Sequence, residues 1–67
     1  MEMIEVNKEK FFECVYPLDI EVSPIGKYPY TSIFKIKGSN KLVGKIIKSG
    51  LTYPYTTTYQ IEKSFLK

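Results

Sequence analysis

With 67 residues the chain suits one domain, 1–67, near the size where a single core is barely sufficient; such a domain buries only about 60% of the surface its unfolded chain exposes. The sequence has no histidine and a single cysteine, Cys14, which excludes an intramolecular disulfide, a one-chain zinc site and a histidine-activated nucleophile. The net charge is only +3, all of its cations are lysine, and no run approaches the ~20 apolar residues of a membrane span.

Met3–Val6 alternates and reads as a short edge strand. Asn7 follows as an N-cap, with Glu9 placed where the helix dipole favours an anion. Lys8–Tyr16 then reads as a short helix whose pairs Phe11/Val15 and Phe12/Tyr16 make one apolar stripe, stopped by Pro17. A helix of this length must dock on something to persist. Leu18–Val22 alternates as a half-buried strand, apolar at Leu18, Ile20 and Val22, and Ser23–Pro29 is a loop punctuated by two prolines and a glycine.

Thr31–Lys48 predicts a hairpin turning at Gly38-Ser39-Asn40. A three-residue loop would set Lys37 against Lys41. One face would then hold Ile36–Leu42, Phe34–Gly44 and Ser32–Ile46, and the other Lys35–Val43, Ile33–Lys45 and Thr31–Ile47. Tyr55–Leu66 reads as a last strand, directed inward at Tyr59, Ile61 and Phe65. The whole is an α+β fold: a three- to four-stranded, mainly antiparallel sheet with one short N-terminal helix packed on its apolar face. Its expected core is Phe11, Phe12, Val15, Leu18, Ile20, Val22, Phe34, Ile36, Leu42, Ile46, Tyr59 and Ile61.

Two features point to binding. Tyr28–Ile36 (YPYTSIFKI) echoes Tyr53–Ile61 (YPYTTTYQI), so Tyr28, Tyr30, Tyr53 and Tyr55 stand at the entries of two strands and form a candidate aromatic rim. Their bland reading is that they cap the core. Lys35, Lys37, Lys41 and Lys45, with Lys27 and Lys48 nearby, form a candidate basic sheet face, whose bland reading is a solvated exterior. The charge is divided along the chain: residues 1–21 hold six acids and two lysines, whereas no acid lies between Glu21 and Glu62.

These readings give a small, non-enzymatic, cytoplasmic binding protein with no cofactor, no metal and no membrane contact, as monomer or homodimer. In the first version it contacts nucleic acid or a nucleoprotein through the lysine/tyrosine face, with bases stacking on tyrosine. The absence of arginine weighs against that version. In the second it is a protein–protein interaction module, such as an inhibitor or adaptor that docks on a host protein. A lysine-only, alanine-free composition resembles AT-rich coding regions of phage-like mobile elements.

Overall fold

The computed structural model describes residues 2–67. The elements are β1 (Met3–Val6), α1 (Lys8–Val15), β2 (Ile20–Ile25), β3 (Tyr30–Ile36), β4 (Leu42–Ser49), β5 (Thr56–Glu62) and a 3₁₀ turn over Lys63–Phe65. The strands form one antiparallel sheet in the order β1-β5-β4-β3-β2. The α+β class holds, but five strands form where three or four were expected. Both edge segments, each read from the sequence as a short alternating strand, pair into the sheet, β1 with β5 and β2 with β3.

The helix begins as its cap residue dictates. Asn7 is extended and its side chain accepts from the Lys10 amide at 2.7 Å, satisfying a first-turn donor. The helix ends one residue early, with Tyr16 as its C-cap before Pro17. Eight residues cannot hold a helix unaided, and tertiary docking supplies the difference. Phe11, Cys14 and Val15 sink against Val43 and Ile61, making the buried core. The rings of Phe12 and Phe34 meet Phe11 edge-on at 5.2 and 5.1 Å, a favoured aromatic arrangement.

The far part of the hairpin has the expected register: Thr31↔Ile47, Ser32↔Ile46, Ile33↔Lys45 and Phe34↔Gly44. Nearer the turn that register fails. Lys35 pairs with Leu42, the Ile36 amide donates to the Lys41 carbonyl, and Val43 is the extra residue of a bulge. Val43 therefore enters the core, fully buried, while Leu42 moves to the side of Lys35. Leu42 is thus removed from the expected core, and the pairs Ile36–Leu42, Lys35–Val43 and Lys37–Lys41 do not form. The bulge keeps Gly44 opposite Phe34 and beneath Phe11, and the core takes Val43 in place of Leu42; burying either side chain stabilises by about 1.5–3 kcal/mol.

Gly44 explains how the helix comes so close. A Cβ there would stand 2.7 Å from the Gln60 carbonyl oxygen and 2.9 Å from Cε2 of Phe11. The space of the missing side chain is filled by Phe11, with Ile61 Cδ1 next to it at 3.1 Å.

β2 runs three residues further than the alternation reaches, through Pro24. The Lys37 amide donates to the Asp19 carbonyl, so odd-numbered residues of this strand bond to β3 and even-numbered ones point their backbone outward. Pro24 thus lacks an N–H only where the sheet ends, as an edge proline should. The last strand stops at Glu62, where the chain turns into the 3₁₀ segment instead of continuing to Leu66.

Candidate functional site

β3 and β5 flank β4 and are antiparallel to it, so both begin at the same end of the sheet. That topology brings the two Tyr-Pro-Tyr segments together. Tyr28 meets Tyr30 with ring centroids 6.1 Å apart, Tyr30 meets Tyr55 at 6.3 Å, and Tyr55 meets Tyr53 at 6.4 Å. Four rings from two distant segments make one continuous ladder. The segments are also bonded directly: the Tyr28 hydroxyl donates to the Gly50 carbonyl at 2.8 Å and accepts from the Gly50 amide at 2.7 Å. Gly50 has φ of +140°, a region that side-chain-bearing residues rarely adopt. The Tyr28-Pro29 and Tyr53-Pro54 peptide bonds are both cis.

Beyond the ladder the 51–55 loop presents Leu51, fully exposed, and Tyr53, 86% exposed. Leu51 has no place in any alternating pattern, and so the sequence reading passed over it. Lys48 stands opposite Tyr30 in the β3–β4 ladder, on the helix side of the sheet, and Lys27 immediately precedes Tyr28. The segments 22–32 and 47–58 that build this end contain no acid.

The four lysines expected on one face do not share it. Lys35 and Lys45 lie on the open face of the sheet, opposite α1, as their register with Leu42 and Ile33 shows. Lys37 sits in the turn, and the Lys41 ammonium lies over the Phe65 ring, 5.3 Å from its centroid. The open face also carries acids: Glu21 pairs with Lys35, while Glu5 and Lys45 both pair with Gln60. Chain-level segregation of charge is therefore undone in three dimensions. Ile33, Ile47 and Leu42 share that surface, and its character is mixed.

One carboxylate is electrostatically distinct. Glu62 titrates below its ordinary value of 4.5, because the Ser64 hydroxyl bonds it, with further help from the Ser64 amide and the Glu2 backbone. It caps the 3₁₀ turn at the opposite end of β5 from Tyr55. The exposed ion pair Lys63–Glu2, at 3.6 Å, lies beside the same turn.

No helix of the described residues is long and apolar enough to cross a membrane. Comparison with known proteins returns no match: no family model fits the chain, and no curated protein or solved structure resembles it.

Proposed function

We propose that the chain is a non-enzymatic protein-binding module of the cytoplasm, an inhibitor or adaptor, whose contact surface is the tyrosine end of the sheet. The observation that carries this reading is the assembly of Tyr28, Tyr30, Tyr55 and Tyr53 into one exposed ladder beside the protruding Leu51. Tyrosine supplies large, rigid contact area with a hydroxyl at its tip, and an exposed apolar patch of this kind marks an interaction surface. Capping the core does not require Leu51 and Tyr53 to stand in solvent. A buried lone thiol, Cys14, suits a reducing compartment, and carboxylates spread over the surface give no acid–base pair.

The test is retention of a protein from cell lysate after nuclease treatment. Wild-type chain should retain it, and a Leu51→Ala/Tyr53→Ala double variant with unchanged thermal stability should not. Equal retention by both chains refutes the reading.

A nucleic-acid contact is the second reading, supported by the acid-free segments and by Lys27 and Lys48 beside the ladder. With two lysines engaged, single-strand affinity should fall with salt at a log–log slope of only about −1.4. Fluorescence titration of labelled single-stranded DNA and RNA at two salt concentrations measures it. Absence of binding at low salt eliminates this version.

A further inference from the structure

We propose a second docking surface, separate from the tyrosine end: the free edge of β2 and the groove beside it accept an extended segment of a partner protein in which apolar and basic residues alternate. Three observations converge on it. First, β2 is an edge strand, and the backbone groups of Ile20 and Val22 point away from β3, because the odd residues make the β2–β3 bonds. Those groups are a template for strand addition. Pro24 carries no N–H, so the template ends there and its register is set.

Second, an apolar groove of about 350 Å³ lies directly against this edge on the helix side. Phe12, Val15, Tyr16, Leu18, Val22 and Phe34 line it, together with Asp19 and Ile20 of the edge itself. It exists because α1 lies over β4 and β5 and leaves β2 uncovered. Val22 is consequently 50% exposed and Tyr16 80% exposed, although both belong to apolar stripes. A strand added at the β2 edge would direct alternate side chains into this groove.

Third, the other face of the same edge is acidic. Glu21 lies on the open face opposite Lys35, and Asp19, two positions before it, adds a second acid at the same edge, beside the groove. A basic residue on the incoming strand, set against Glu21, continues the alternation of sign across the sheet. The same charges argue against a second copy as occupant. A β2–β2 pairing would set glutamate near glutamate, and β1, the other edge, carries Glu5. The occupant is therefore a different protein with a Lys/Val-type strand, and with the tyrosine end the chain gains two contact surfaces, as an adaptor needs.

The experiment uses the full ¹⁵N-labelled chain and a synthetic octapeptide of alternating valine and lysine, with a valine/glutamate octapeptide as control. Saturable amide shifts should appear at Ile20 and Val22 and at the α1 C-terminus around Tyr16. The glutamate peptide should bind at least about tenfold more weakly. Glu21→Lys, on an exposed position, should reverse that preference. Val22→Pro removes one outward N–H and should weaken binding of the lysine peptide, with the spectrum of β4 and β5 unchanged. The proposal is overturned if shifts fall at the tyrosine end instead, if both peptides bind alike, if added chain self-associates through β2, or if nothing shifts at millimolar peptide. Failure of the β2 proposal leaves the reading of the tyrosine end standing, because that reading has its own test in the loss of retention on changing Leu51 and Tyr53.

Discussion

The half of the sheet under α1 and the end that carries the tyrosines are built by opposite means. Under the helix, Phe11, Val43 and Ile61 are fully buried and Gly44 has given up its side chain to let Phe11 approach. At the tyrosine end no large side chain is fully buried; the rings lean on one another edge-on, and a hydroxyl-to-backbone clamp joins the loops. One region holds the fold, and the other is held by it. In a domain this small the two tasks are kept apart, because a core side chain spent on recognition would remove a large part of the total stability.

The sharpest way to break this contrast is Phe11→Ala, which should destabilise by about 3–5 kcal/mol. The per-residue range for natural domains gives a chain of this length only about 3–10 kcal/mol in all. Thermal unfolding followed by circular dichroism should therefore show a folded fraction near its limit at room temperature, and partly buried Phe34→Ala should cost less. Gly44→Ala comes next, with an expected loss of about 1–3 kcal/mol from overpacking against Phe11 and the Gln60 carbonyl. A neutral result in urea denaturation would mean that both the helix and the β4–β5 pairing at Gln60 can give way.

Tyr28→Phe sharpens the comparison from the other side. It removes both bonds to Gly50 and keeps the ring, so its cost should be about 1 kcal/mol. Hydrogen exchange should quicken at the Gly50 amide while that of β4 stays protected. The smallest effect concerns Glu62, whose native pKa is lowered. Its contribution is present above the ordinary carboxylate value and is lost as pH falls through the lower native one. Glu62→Gln should flatten that acid limb of the stability–pH curve and slightly lower its neutral plateau, because the contribution of the carboxylate is then missing at every pH. An unchanged acid limb would show that the Ser64 bonds do not form in solution.

Local grammar was legible in the chain. Asn7 and Pro17 bound the helix, Gly38-Ser39-Asn40 marks a reversal, and the two Tyr-Pro-Tyr echoes announce a pair of equivalent strand entries. Each depends on a residue type acting on its own neighbours. The candidate tyrosines were legible for the same reason, while the lysine face formed only in part: Lys35 and Lys45 share it, the bulge at Val43 leaves Lys41 over Phe65, and pairing of the edges adds Glu5 and Glu21 to it.

By itself, then, the sequence determined the α+β class, the helix and its cap, the central hairpin register from Thr31 to Phe34, and the absence of histidine chemistry. Tertiary structure alone decided that Val43 and not Leu42 enters the core, that acids and lysines share the open face, and that four tyrosines distant in sequence touch. The reason is range. Capping, turns and alternation act over a few bonds, whereas bulges, strand order and ring-to-ring contact are settled by which packing buries the most apolar surface around Phe11.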